Sequence, residues 1–300
     1  LESKAFAKIN LHLEVLNKRQ DGYHEILSLM AEIGVFDLLK LVETRPRETV
    51  SVSIVPDGGA YPEILHGIPG DENLIAKAVR AYCREAGITG EYVFSLRKNI
   101  PAGAGMGGGS ADAAAALRLM NARYNRLSHD ALARVALGVG ADVPFCLNGG
   151  VAICTGIGEK IERLDVLPDW TVLVADMGIH VDTRAAYSML GRGDVPRFDD
   201  SILLARVEKL GAALRTGNLN DLCGMARNDF EDVVFERHPA IREARDGLRR
   251  GGAVCAFMTG SGSAVVGLFR GEKEAWHAEE ELKGLARAVI ITGFAGGRNR

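Results

Sequence analysis

Five glycines fall within the seven residues 103–109 of Pro101-Ala102-Gly103-Ala104-Gly105-Met106-Gly107-Gly108-Gly109-Ser110-Ala111, directly ahead of an alanine-rich run to Tyr124. With no side chains in the way, successive N–H groups can crowd around an anion. A helix N-terminus behind them adds orphan donors and the positive end of the dipole. The stretch reads as a cradle for phosphate oxygens, with Ser110 placed to cap the helix or to donate its hydroxyl to a phosphate. A tight strand-to-helix turn needs one or two glycines, not five. No lysine precedes Ser110, so this is not a Walker loop, and no acidic residue about 20 positions on completes a dinucleotide unit. A second run of small residues, Thr259-Gly260-Ser261-Gly262, lies between two apolar segments. It suits a hairpin turn and equally a close approach of backbone to the phosphate cradle. Lys8 shares a strand face with Asn10; a lone strand lysine is usually solvated, but the amide beside it makes a polar pocket floor the better reading.

The elements that must position these residues follow from periodicity. Ala5, Ala7, Ile9, Leu11, Leu13 and Val15 alternate with Lys8, Asn10, His12 and Glu14, which predicts a half-buried strand with one apolar and one polar face. Lys18 to Gly22 is a turn, and an apolar run from Tyr23 to Leu41 follows it. Residues 50–54 and 92–96 alternate as strands, with a helix over 71–86 between them. After the alanine-rich helix come a helix over 130–139, a break at Gly140-Ala141-Asp142-Val143-Pro144 and a short strand over 149–153. The second half reads as strands over 171–175, 254–258, 264–269 and 288–292, with helices over 183–190, 200–216, 218–236, 239–250 and 272–285. Strands dominate early and helix–strand alternation comes late, as in an α+β chain of two layered units. The basic end, Arg298-Asn299-Arg300, reads as a frayed tail.

Composition sets limits. The 300 residues carry 36 Lys and Arg against 39 Asp and Glu, a net charge of −3. That balance argues against a nucleic-acid coat or a membrane-surface protein, both of which need a basic surplus. No run approaches the ~18 apolar residues of a membrane span. Five widely spaced cysteines without a C-x-x-C pair fit a reduced, cytoplasmic protein. No tight His/Cys cluster suggests a protein-bound zinc.

Lys8-Ile9-Asn10, Pro101 to Ala111 and Thr259 to Gly262, in that order, resemble the three motifs of the GHMP small-molecule kinases. Asp21-Gly22-Tyr23-His24-Glu25 and Gly140 to Pro144 resemble stretches of the branch that phosphorylates a cytidine-diphosphate-linked methylerythritol in the non-mevalonate isoprenoid pathway. The resemblance runs from Lys8 to about Gly267. It implies an α+β fold of two domains: residues 1–158 as an ATP-binding domain like ribosomal protein S5 domain 2, and residues 159–300 as a ferredoxin-like substrate domain. It implies Asp142 as the base for the acceptor hydroxyl and Lys8 as the cation that steadies it and compensates phosphoryl charge. It further implies Tyr23 and His24 around the cytosine, with Tyr187 a second aromatic and Asn10 and Thr183 beside the substrate. ATP is the implied donor, with Mg²⁺ held mainly through ATP and its protein ligands unknown. The implied partners are small molecules, with neither nucleic acid nor membrane, and the chain is expected to be a monomer or weak homodimer. Read from the residues alone, Asp142 is also a plausible turn residue, Tyr23 a turn anchor, and Asp182 or Thr183 the N-cap of a helix. A kinase of this fold with an amino-acid or sugar acceptor, and a nucleotide-binding regulator without chemistry, stay open at this point.

Overall fold

The computed structural model describes residues 1–67, 70, 72–192 and 200–296; the basic end at 298–300 lies outside them. The first sheet contains β1 (Glu2–Lys18), β2 (His24–Arg45), β3 (Val50–Pro56), β4 (Gly90–Arg97), β5 (Val151–Thr155) and β6 (Lys160–Leu164). Its order is β3-β4-β2-β5-β6, with β1 also paired to the long β2. The β3–β4 pair is parallel, bridged by α1 (Leu74–Ala86), whose Asn73 side chain caps it by accepting from the Ile75 N–H. On one face of this sheet lie α1, α2 (Gly108–Tyr124), α3 (His129–Val139) and α4 (Val143–Asn148). The second sheet, β10 (Ala288–Thr292), β7 (Thr171–Asp176), β9 (Val265–Phe269) and β8 (Cys255–Met258), is antiparallel throughout. Around it are α5 (Thr183–Met189), α6 (Asp200–Arg215), α7 (Leu219–Cys223), α8 (Glu231–Arg237), α9 (Pro239–Arg250) and α10 (Glu272–Glu279). The division expected between 158 and 159 falls in the turn of the β5–β6 hairpin, whose second strand stays in the first sheet.

A shared core lies between the two sheets. Ile9 and Leu11 of β1, Leu27 and Leu29 of β2, Val172 and Val174 of β7, Val266 and Leu268 of β9, and Leu210 and Leu214 of α6 pack into it. Main-chain hydrogen bonds tie the same halves together: Leu13 N–H to the Arg227 carbonyl (2.7 Å), Asp229 N–H to the Leu13 carbonyl (3.0 Å), Gly34 N–H to the Gly293 carbonyl (2.8 Å) and Ala295 N–H to the Glu32 carbonyl (2.9 Å).

The single apolar face expected for β1 is not what forms. Ala7, Ile9 and Leu11 join the core between the sheets, whereas Ala5, Leu13 and Val15 join the core under the helices. Register shifts in the pairing with β2, between Phe6 and Lys8 and between Asn10 and His12, account for the change. At the first, four residues of β2 run against two of β1; the second inserts one residue, Leu11, into β1 and so exchanges the faces of the residues beyond it. Both faces of β1 are buried, including Lys8, Asn10, His12 and Glu14.

Three further expectations are corrected. The helix over 218–236 is two helices, α7 and α8, separated by a turn at 224–230 in which the Asn228 side chain accepts from the Phe230 N–H. The 272–285 helix ends at Glu279 and tightens into a 3₁₀ turn. Ser110 does not cap α2: Gly107 is the N-cap, in the left-handed conformation, and Ser110 lies inside the first turn. Helix α4 and strand β6 carry no signal strong enough for their short lengths to be read in advance.

Candidate active site

The two bulges sort the polar residues of β1. Lys8 and Asn10, between them, face a cavity of about 1200 Å³ that is also lined by Tyr23, His24, Gly103, Gly105, Gly107, Ser110, Asp142, Thr183, Tyr187, Gly260, Ser261 and Gly262. His12 and Glu14, beyond the second bulge, turn toward α6. There the His12 Nδ1–H donates to the Met225 carbonyl (2.7 Å), and Arg206 donates to Glu14 (2.5 Å).

Asn10 is the node of the floor. Its Oδ1 accepts from Lys8 Nζ (2.7 Å) and from the Gly260 N–H (3.1 Å), and its backbone N–H donates to Thr259 Oγ1 (2.9 Å). Its Nδ2 donates to Ser28 Oγ (2.8 Å), which in turn donates to the His12 carbonyl (2.8 Å). The Lys8 ammonium, 4% exposed, lies 3.4 Å from Asp142 Oδ2. Asp142 stands at the N-cap position of α4, yet its carboxylate makes no capping bond. The charge a turn aspartate spends on its own backbone is free here to face the lysine and the cavity.

The glycine loop meets the small-residue loop backbone to backbone. Ala264 N–H donates to the Ala104 carbonyl (3.1 Å). A methyl on Gly105 would lie 2.1 Å from the Thr259 carbonyl oxygen, and one on Gly260 would lie 2.8 Å from the Gly105 carbonyl oxygen. Both glycines have φ in the left-handed region, +76° and +58°, so space and torsion both exclude a side chain. The Lys8 N–H, released from the β2 ladder by the first bulge, donates to the Met106 carbonyl (3.0 Å). Pro101, Ala104, Met106 and Ala111 are buried behind the loop, while Ala102 and Gly109 are exposed; these four buried residues, with Ala102, Gly108, Gly109 and Thr259, support the cavity wall without lining it.

At the other end, His24 stacks on Tyr187 with centroids 5.0 Å apart and planes 20° from parallel. Phe230 meets Tyr187 edge-on at 4.8 Å and 86°. The stack therefore pairs Tyr187 with His24, while Tyr23 is 57% exposed at the mouth. Burial, reinforced by the charge of Asp142, pushes the Tyr187 phenol up to about 12. Burial lowers His24, so its ring stays neutral to lower pH than usual. Asp182, not Thr183, caps α5, accepting from the Ala185 N–H (2.6 Å). Thr183 Oγ1 instead lies 2.8 Å from Ser261 Oγ, joining α5 to the small-residue loop.

Further residues hold the site in shape. Asn228 donates from Nδ2 to the Met258 (2.6 Å) and Gly260 (2.8 Å) carbonyls and so holds the small-residue loop. Lys98 is buried between Asp37 and Asp112, donating to both, with Asp112 Oδ2 at 2.7 Å. Asp37 also accepts from the Ile100 N–H (2.8 Å), which fixes the chain as it leaves β4 for the glycine loop. A lone acid inside an alanine-rich helix was the available sign of that cluster. His180, Arg184, Arg192 and Phe230 also line the cavity.

A glycine-rich loop ahead of a helix N-terminus, a buried lysine facing a carboxylate, and stacked rings share one cavity between two α+β layers, an arrangement that suits a small-molecule kinase. Residues 73–150 match the GHMP kinases N terminal domain, and residues 207–286 match the GHMP kinases C terminal domain. The chain belongs to the GHMP kinases, which take their phosphoryl group from ATP. Among its relatives, the 4-diphosphocytidyl-2-C-methyl-D-erythritol kinase of Prosthecochloris aestuarii is 39% identical over 95% of this chain and 94% of its own. That of Caldicellulosiruptor bescii is 34% identical over 97% of each. A crystal structure of 4-(cytidine 5'-diphospho)-2C-methyl-D-erythritol kinase superposes with a TM-score of 0.76 at 33% identity, covering 99% of this chain and 100% of that one. Homoserine kinase from Cytophaga hutchinsonii, 18% identical with a TM-score of 0.74 and covering 99% of this chain and 96% of that one, shares the fold. Among the described residues, no helix is long and apolar enough to cross a membrane.

Proposed function

We propose that this chain transfers the γ-phosphoryl group of ATP to the 2-hydroxyl of 4-diphosphocytidyl-2-C-methyl-D-erythritol, in the non-mevalonate route to isoprenoid precursors. The observation that carries the reading is the Lys8–Asp142 pair at 3.4 Å, set between the glycine cradle and the His24–Tyr187 rings. Phosphoryl transfer asks for placement and charge compensation more than for covalent chemistry. The N–H groups around Gly103 to Ser110 hold the triphosphate. Asp142 accepts the hydroxyl proton, and Lys8, kept in place by Asn10, offsets charge on the carboxylate and then on the transferred oxygens. The ring pocket takes the cytosine: Tyr187 and Phe230 supply aromatic surface, His24 adds ring nitrogens for the base edge, and Tyr23 covers the mouth.

Among the described residues, no group of three His, Cys, Asp or Glu side chains could hold a metal ion. Mg²⁺ is read as bound mainly through the ATP phosphates, where it would supply charge neutralisation. The enzyme is read as cytoplasmic and as a monomer or weak homodimer.

A coupled ADP-release assay with Mg-ATP tests the reading, comparing the cytidine-diphosphate acceptor with homoserine, galactose and mevalonate. Turnover is expected with the first alone. Asp142→Asn is expected to lower kcat by about 10²–10⁴ while ATP still binds; transfer retained in that variant removes Asp142 from the role of base.

A further inference from the structure

The reading above requires a diphosphate to lie between the ring pocket and the reacting hydroxyl, and a diphosphate needs a cation. Lys8 is already bound to Asn10 and faces Asp142. Arg192 is engaged by Asp229 Oδ2 at 3.0 Å. His180 borders the cradle, its Nδ1 lying 3.3 Å from where a methyl on Gly103 would be. Lys18 also lines the cavity, at the end of β1 opposite His24 in the strand pairing, and so stands at the ring end of the site.

Arg184 remains. It lines the same cavity, it is exposed, and among the described residues its guanidinium has no carboxylate or carbonyl partner. Its place on α5 is the informative part. It precedes Tyr187 by three residues, which puts the two on one helix face about 4.5 Å apart along the axis. It also follows Thr183, whose hydroxyl touches Ser261 of the small-residue loop. Arg184 thus stands between the ring that takes the base and the loop that faces the phosphates, where a ribose would carry the first phosphate of the nucleotide.

We propose that Arg184 is the specificity-determining residue that recognises the diphosphate of the acceptor, making the site select a cytidine diphosphate over a cytidine. The inference rests on the function proposed above. A planar guanidinium matches phosphate oxygens in pairs, which a point charge does not. An arginine without a carboxylate partner also has no ion pair to give up when the ligand arrives.

The test is binding of cytidine, cytidine monophosphate and cytidine diphosphate to the full chain by calorimetry, with a non-hydrolysable ATP analogue saturating the donor site. Wild-type protein is expected to prefer the diphosphate to the nucleoside. In Arg184→Gln that preference is expected to shrink about tenfold or more, with cytidine itself bound within about twofold of wild type. Arg184→Lys is expected to recover part of the preference. A preference that survives Arg184→Gln, or that collapses in Lys18→Gln instead, overturns the assignment. Equal losses for cytidine and its diphosphate in Arg184→Gln also overturn it, because that pattern means a disturbed α5 and not a lost phosphate contact. Wild-type protein that binds the ATP analogue and ignores every cytidine compound overturns the underlying reading and this one with it.

Discussion

At the scale of single residues, the site separates placement from chemistry. Asn10 touches Lys8, Ser28 and the small-residue loop at once, whereas the Asp142 carboxylate is held by little except the charge of Lys8; in the proposed reaction the first only places and the second takes the proton. Replacing Asn10 with Ala would leave the Lys8 ammonium with one partner at 3.4 Å. The expected result is a kcat loss of at least tenfold with ATP affinity nearly unchanged, read from initial rates and from equilibrium binding. Tyr187 gives a second prediction. Its phenol, pushed up to about 12 by burial and by Asp142, stays protonated at any working pH, so no phenolate is available there to act as a base. Tyr187→Phe is expected to keep kcat within about threefold, while Tyr187→Ala raises the acceptor KM by roughly tenfold or more, since base–aromatic stacking is worth about 1–3 kcal/mol. Lys8, Asn10 and the glycine loop were legible in the sequence because residue type and spacing alone mark them. The positions of His12 and Glu14 were not: alternation put all four polar residues on one face, and a bulge, which has no side-chain signature, sent two of them elsewhere.

At the scale of elements, the glycine loop is held from three sides. Lys98 and its two carboxylates fix its entrance and the first turns of α2, the small-residue loop covers it, and β1 donates to it through the Lys8 N–H. Gly105→Ala places a methyl against the Thr259 carbonyl at a left-handed φ. It is expected to cost about 2–4 kcal/mol of stability in urea unfolding and to raise the KM for ATP, because the two loops must part to admit it. Gly22→Ala, also at positive φ but with nothing within 4 Å, should cost only about 1 kcal/mol and serves as the comparison. The long amphipathic elements were readable from periodicity, α1 and α9 among them. The break between α7 and α8 was not, because it depends on Asn228 finding the Met258 and Gly260 carbonyls across the molecule. Local propensity cannot report a partner 30 residues away.

At the scale of the whole molecule, the joint between the sheets is apolar at its centre and charged at its rim. Glu14 belongs to that rim. The His12 ring at 3.8 Å and the Arg206 guanidinium at 2.5 Å hold its carboxyl down at about 2 from its ordinary 4.5, against the cost of burying it. A carboxyl lowered on folding stabilises the folded state above its unfolded value and loses that contribution as pH falls. Wild-type stability is therefore expected to decline between pH 4.5 and pH 2 by up to about 3 kcal/mol through this group. Glu14→Gln should be less stable at pH 7 and should show a flatter curve over that acid interval. Equal slopes in the two proteins, measured by urea unfolding at a series of pH values, would remove Glu14 from the acid response.

The main-chain bonds that join Leu13 to the 227–229 turn, and Gly34 and Glu32 to 293–295, have a consequence for how such an enzyme can change its diet. A cleft closed by a hinge chooses its substrate partly through the energy of closing, so a distant joint can alter the choice. Here the two halves share a core and are sewn together by backbone, and the cleft works as a fixed mould. Its radius of gyration in solution should not change when both substrates are bound. A shift in acceptor must then come from recarving the wall, at positions such as His24, Arg184 and Tyr187, and not from loosening a hinge.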